Sequence, residues 1–207
     1  MRAAGVLALA LAASACDQPV PPPVFLREAS LDVEDIAVLR ALFDDFRHRR
    51  REAIVRPEVP SPRFLVVDTT MAMCRRDPSV FGPQPGRCLN PAPASVMSEV
   101  VPASVFPTVR LRFQTWNATP RSISGGLGDD VTYVSATLLD MMAPGELLRR
   151  YPPGSAIVTL SAPGYPAPRM AVIAFGSWWA PSSGAARLER QPDGHWRVVA
   201  SASRPQD

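Results

Sequence analysis

The spacing of apolar residues changes several times along the chain, and each change predicts an element. From Ser30 onward the pattern is helical, because Ile36, Leu39, Phe43 and Phe46 recur at three- and four-residue steps and form one stripe. Ser30 predicts the N-cap, Asp32, Glu34 and Asp35 put acids in the first turn, and Arg47-His48-Arg49-Arg50-Arg51 puts cations in the last, as the helix dipole favours. Prolines at 57 to 62 break the chain, and residues 63–69 then read as a strand. Residues from about 72 to 107 read as loop-dominated. Val109-Arg110-Leu111-Arg112-Phe113-Gln114-Thr115-Trp116 alternates with period two, which predicts a strand with Arg110, Arg112 and Gln114 on its wet face. A glycine-rich turn at 124–130 leads into a strand at 131–138, and Pro144 opens a short helix through Arg150.

The last third carries the framework. Residues 156–161, 170–179, 185–190 and 195–201 are four short apolar-rich runs separated by Pro, Gly, Ser or Asp, and they read as an antiparallel meander. Met170-Ala171-Val172-Ile173-Ala174-Phe175 is apolar throughout, which predicts a central strand buried on both faces. Gln191-Pro192-Asp193-Gly194 predicts a tight hairpin, with the Asp-Gly pair taking positive backbone angles. Trp196, Val198 and Ala200 alternate with Arg197, Val199 and Ser201, predicting one face on a core. The prolines of 162–168 predict a turn that ends strand pairing, because proline offers no N–H. The fold class is therefore α+β: an antiparallel sheet packed against one main amphipathic helix and a short second one. The domain is expected at 30–201, followed by a disordered tail at 202–207.

Composition adds a compartment. The N-terminus opens with Met1-Arg2 and an apolar run at 3–12, too short to cross a bilayer but suited to an export signal covering residues 1–15. Ala13-Ser14-Ala15-Cys16 resembles the bacterial lipobox, in which the Cys is acylated on its thiol, though Ala13 stands where Leu is commonest. The same residues satisfy the Ala-x-Ala rule of ordinary signal peptidase, so lipidation at Cys16 and plain cleavage both stand. The chain has three cysteines, and an exported protein is ill served by an odd thiol. Lipidation of Cys16 leaves Cys74 and Cys88 to pair, closing a loop of about 15 residues worth on the order of 3 kcal/mol. Residues 16–29, with Pro19-Val20-Pro21-Pro22-Pro23, then read as an extended tether between a membrane surface and the domain. The protein is expected to be exported and lipid-anchored to the cell membrane, facing the periplasm or cell exterior.

All 22 basic residues are Arg, which with the many Ala and 24 Pro points to a GC-rich genome more than to an anionic partner. A net charge of +3 without a basic stripe or aromatic platform argues against nucleic acid. The arginine cluster at 47–51 reads either as helix-end charge or as a surface for lipid phosphates, with the first favoured.

Candidate chemistry is sparse. Phe64-Leu65-Val66-Val67-Asp68-Thr69-Thr70 superficially resembles the aspartic-protease strand, but Thr70 replaces the Gly of Asp-Thr-Gly and no second copy exists. A buried Asp or Thr of this run bonding a neighbouring turn is the better reading. His48 lies in the arginine cluster and His195 follows a tight turn; Ser177 lacks the Gly-x-Ser-x-Gly elbow of a triad nucleophile. Gly125-Gly126-Leu127-Gly128-Asp129-Asp130 precedes a strand, not a helix, so it reads as a turn and not a phosphate or calcium loop. No metal or cofactor motif is present. Trp178, Trp179 and Trp196 are the one candidate binding surface: adjacent strand residues face opposite ways, so one of the pair can sit exposed as an anchor for a partner, unless helix and loops cover both.

The order of Phe64-to-Thr69 strand, Tyr151-Pro152, Ser161-x-x-Gly164-Tyr165, apolar Ala171 to Phe175, the turn at 182–184 and Gly194-His195-Trp196-Arg197-Val198 resembles a loose group of uncharacterised bacterial exported proteins and lipoproteins. These end in a similar meander with a Gly-x-Trp-x-Val strand. The resemblance implies a fold and a compartment but no activity. The expected function is a non-enzymatic, lipid-anchored envelope protein that binds another protein or an envelope component. An envelope hydrolase with an unidentified active site, or a small-ligand-binding accessory lipoprotein, are the alternatives.

Overall fold

Both halves of the core meet on one strand, β5 (Met170–Ser177), whose Ala171, Val172, Ile173 and Ala174 are each at most 1% exposed. The computed structural model describes residues 30–53, 63–71, 94–142, 144–150, 157–177 and 182–205. In chain order the elements are α1 (Val33–Ala53), β1 (Phe64–Val67), α2 (Ala94–Val100), α3 (Phe106–Trp116), β2 (Val131–Val134), α4 (Ala136–Met141), α5 (Pro144–Arg150), β3 (Ile157–Leu160), β4 (Gly164–Ala167), β5, β6 (Ser182–Arg190) and β7 (Trp196–Pro205). Together they form an α+β domain around a seven-stranded, mostly antiparallel sheet. Its order is β2-β1-β3-β5-β6-β7, with β4 beside β5.

The meander predicted at the C-terminus is present: β3 pairs with β5, β5 with β6 and β6 with β7, all antiparallel. β1 joins it differently, lying parallel to both β2 and β3. Such a strand needs cover on both sides. Val66 faces a core built by Val38, Leu39, Leu42 and Phe43 of α1, while Leu65 and Val67 face Val96, Val109 and Phe113 from α2 and α3. The apolar run in β5 splits in the same way, Ala171 and Ile173 to the α1 side, Val172 and Ala174 to the other.

Several expectations are corrected. The alternation at 109–116 belongs to helix α3, not to a strand. Phe106, Val109, Phe113 and Trp116 form a stripe at helical spacing that faces the core, and Leu111, which a strand would bury with Val109 and Phe113, is 77% exposed. Residues 72–107 are not all loop, since α2 and the start of α3 lie in them. The strand expected through residue 138 stops at Val134, and α4 begins at Ala136, whose N–H is taken by Asp68 Oδ1 at 3.0 Å. Ser30 does not cap α1. Asp32 does, its Oδ1 accepting from the Asp35 N–H at 2.7 Å, while Ser30 bridges to Ser122.

The proline-rich segment at 162–168 does not end the pairing either. β4 lies within it and follows β3 along the same edge of β5, meeting it at Gly164–Val172 and Ala167–Met170. The gap between β3 and β4 is closed by the Ser161 N–H bond to the Ala174 carbonyl at 2.8 Å and by two side chains. Ser161 Oγ accepts the Ala174 N–H at 2.9 Å, and buried Asn117, at the end of α3, accepts the Ala162 N–H at 2.7 Å. Gly164 then passes under Trp116, where a Cβ would lie within 2.8 Å of the indole ring.

β7 continues through Pro205 and past Ser201, where the tail was expected. Its alternation is inward throughout but serves two cores. Trp196 and Val198 pack on the α1 side, whereas Ala200 and Ala202 pack on the other. The switch follows from a register shift: Leu188 pairs with Val198 and Arg187 with Ala200, leaving Val199 as the extra residue of a bulge. The β6–β7 turn is closed by the Gln191 N–H to His195 carbonyl bond at 2.8 Å, and only Gly194, not Asp193, takes a positive φ.

The glycine-rich loop is a clamp on α1. Arg40 Nε donates to the Gly126 carbonyl at 2.6 Å, and Arg47 Nη2 donates to the Leu127 carbonyl at 2.6 Å. Arg47 Nε also donates to Asp130 Oδ2 at 2.9 Å, and this guanidinium holds the Asp130 carboxyl below its ordinary range. Gly128 has φ +125° and lies against the Arg47 guanidinium, leaving no room for a side chain. Arg49 bonds Asp45, and Arg50 stacks 5.1 Å from the Phe64 ring centroid, which supports the structural reading of the cluster.

Candidate functional site

Once Asp32 fixes the first turn of α1, its next acids diverge. Asp35 turns inward and is only 2% exposed, yet it is well supplied with partners. The Tyr165 hydroxyl, from β4, donates to Asp35 Oδ1 at 2.8 Å, and Arg121 Nη1 donates to Oδ2 at 3.2 Å. Arg121 is itself held by its N–H to Thr70 Oγ1 at 2.9 Å. Burial pushes the Asp35 carboxyl above its ordinary value, and the Tyr165 and Arg121 bonds oppose that rise only in part. Burial and the Asp35 acceptor push the Tyr165 hydroxyl far up, so it remains a donor.

Glu34 turns outward. Its Oε1 accepts the Trp196 indole N–H at 2.8 Å and lies 3.5 Å from Arg190 Nη1. Arg169 takes φ +65°, uncommon for a residue other than glycine, and is steadied by donating Nε and Nη2 to the Arg190 carbonyl at 3.0 and 2.6 Å. The Tyr165 and Trp196 rings stand 6.1 Å apart, tilted by 54°. Between them, Glu34, the segment Pro166-Ala167-Pro168 and the two arginines lies a groove of about 490 Å³. A second depression of about 500 Å³ lies along the β6–β7 turn, with Trp196 again a wall.

The polar tips of Tyr165 and Trp196 are thus committed inside the domain, and their ring faces, the proline rings and the arginines line the groove. This suits stacking and flat apolar contact more than proton transfer.

The sequence candidates fall apart in space. Asp68, half-buried, bonds the first N–H of α4, and buried Thr70 holds Arg121, so the buried member of the run that bonds a neighbouring segment is Thr70. Asp68 follows Val67 of β1, level with Leu160, Phe175 and Gly184 by register, whereas His195 lies beyond the end of β6. The offset along the strands is about 20 Å, so the two do not form a catalytic pair. Ser177 ends β5, paired with Val158. In the glycine-rich loop, Asp130 is engaged by Arg47. Among the described residues no three His, Cys, Asp or Glu side chains come together to hold a metal, and no helix is long and apolar enough to cross a membrane. Cys16, Cys74, Cys88, Trp178 and Trp179 lie outside the described residues. Trp196 is the one proposed surface residue found at a groove. Its companions Glu34, Tyr165, Arg169 and Arg190 carried no sequence signal beyond an acidic first turn and a Gly-Tyr-Pro string.

Compared with known proteins, the chain matches no family model, no curated protein sequence and no solved structure.

The buried acid makes a pH test. With its folded pKa above the unfolded 3.8, Asp35 binds its proton more readily in the folded chain. Its contribution to stability therefore falls as pH rises through that window and recovers as pH drops toward 3.8. Urea unfolding of wild type and Asp35→Asn across that range should show the wild type gaining on the variant as the pH is lowered. A constant difference would mean that Asp35 titrates alike in both states.

Proposed function

We propose that the protein is a non-enzymatic, lipid-anchored cell-envelope protein whose domain binds an extended segment of another protein in the groove beside Trp196. The anchoring half rests on the export signal and on Cys16. The binding half rests on one observation: the rings of Tyr165 and Trp196 line a groove while their own polar atoms are already satisfied within the domain. A partner covering such a surface strands no donor on either ring. Aromatic side chains of this kind, rigid and amphipathic, are typical interface anchors.

A photoreactive residue placed at Ala167, inside the groove, tests this in the host. Intermolecular adducts are expected from that position and not from Met141, which is 80% exposed on α4 beside the β2 edge of the sheet. Trp196→Ala should lower the yield from position 167 at least tenfold, a loss of about 1.4 kcal/mol in binding. Equal yields from both positions, or no effect of Trp196→Ala, would remove the groove from the account.

A further inference from the structure

We propose that the outward face of α3 is a docking surface for the anionic phospholipid headgroups of a membrane, with Leu111 entering between them and Arg110 and Arg112 meeting their phosphates. It rests on the anchoring half of the proposed function only for the presence of a membrane beside the domain, and not on the groove.

The order of residues around α3 reverses that of an ordinary solvated helix. Phe106, Val109, Phe113 and Trp116 turn to the core. At about 100° per residue, Leu111 falls opposite the middle of that stripe, and Arg110 and Arg112 fall about 100° to either side of Leu111. Pro107 and Thr115 share the exposed summit with it. The summit is therefore uncharged and the cations flank it. A helix lying in a membrane interface has this arrangement: the apolar side chain enters the headgroup layer, while the long cationic ones reach sideways to phosphates.

Charge selects the occupant. No acid occurs from Val100 to Gly128, and Glu99 of α2, on the same face of the sheet, is taken by Arg204. Among the described residues, Arg110 and Arg112 meet neither a carboxylate nor any other hydrogen-bond acceptor, so both guanidiniums keep their donors for phosphate oxygens. Val33 gives the contrast. It is 88% exposed at the start of α1, but Asp32 and Glu34 flank it, and an anionic surface repels that site. Docking through α3 also leaves the groove accessible. α1 and α3 pack on opposite faces of the sheet, and Trp196 packs on the α1 side, so the groove turns away from the lipid.

A photoreactive residue in place of Leu111 tests this on the full chain, purified in detergent and reconstituted into vesicles. One set is phosphatidylcholine alone, and the other is equal parts phosphatidylcholine and phosphatidylglycerol. The mass of the peptide bearing position 111 reads phospholipid adducts. Each arginine against an anionic leaflet favours contact about fivefold, so the yield should be at least tenfold higher with phosphatidylglycerol. Arg110→Gln with Arg112→Gln should return it to the phosphatidylcholine level without changing the circular dichroism, since both side chains are exposed. The same photoreactive residue at position 33 should give at least tenfold less adduct than at 111. Yields at 111 that ignore phosphatidylglycerol or the two arginines, or that match those at 33, would overturn the docking face. Adducts to protein in place of lipid, on irradiation in host membranes, would overturn it too. Intact mass judges the anchor separately. An unlipidated chain that gives the adduct when mixed with these vesicles would remove the anchor and keep the docking face; a lipidated chain with no adduct at 111 would do the reverse.

Discussion

Replacing Phe43 by Ala is expected to lower the free energy of unfolding by about 3–5 kcal/mol. Phe43 is fully buried on the inner face of α1 and meets Phe46 and Phe64 edge-to-face at 5.6 and 5.4 Å. Removing the ring forfeits its transfer free energy, empties the space between helix and sheet, and breaks both aromatic contacts. Domains of this size are stable by only about 5–15 kcal/mol, so the variant should sit close to unfolding. It should also weaken the groove, since α1 carries Glu34 and Asp35. Urea titration followed by circular dichroism reads the loss; a change under about 1 kcal/mol would show that α1 is not packed as described.

Asn117→Ala is the second large effect. Asn117 is 1% exposed; its Oδ1 accepts the Ala162 N–H at 2.7 Å and its Nδ2 donates to the Phe113 carbonyl at 3.1 Å. The substitution strands a buried backbone donor in the gap between β3 and β4, at a cost of about 2–3 kcal/mol. Tyr165 is only three residues beyond Ala162, so loosening the gap should also loosen the Tyr165–Asp35 bond and the groove wall. Asn117→Asp separates the causes. It keeps an acceptor for Ala162 but brings a carboxylate into the core, so its penalty should grow as pH rises. Equal penalties for Asp at acid and neutral pH would point to another explanation.

Sequence reading reached some parts of this architecture for physical reasons. β5 was legible because a strand buried on both faces needs no alternation, and its apolar run of six residues is too long for a surface element. The meander was legible because its punctuation is local, in Gly, Pro and Asp. α3 was misread because arginines at 110 and 112 happen to alternate with apolar residues, while the true stripe from Phe106 to Trp116 only emerges once Leu111 is allowed to face solvent. β4 was misread because proline rules apply to a full ladder, and here only Gly164 and Ala167 pair with β5. The bulge at Val199 left no composition signal, since it sits in an otherwise regular alternation.

The site was less legible still. Trp196 drew notice as an aromatic, but its bond to Glu34 spans 162 residues and the bond from Tyr165 to Asp35 spans 130. No local pattern encodes such meetings. They follow from the sheet order, which brings the start of α1 over the turns joining β4 to β5 and β6 to β7. The acids at 32, 34 and 35 looked alike as dipole partners, yet they divide into a cap, a groove wall and a buried acceptor.

The central proposal is an exported domain held at a membrane through Cys16. Intact mass of the protein purified from membrane and soluble fractions of its own host tests that claim most directly. The predicted result is a membrane species that begins at Cys16, carries acyl mass and lacks the two protons of a Cys74–Cys88 disulfide. An unprocessed, reduced chain in the soluble fraction would contradict it, and would move both the compartment and the groove's partner out of the envelope.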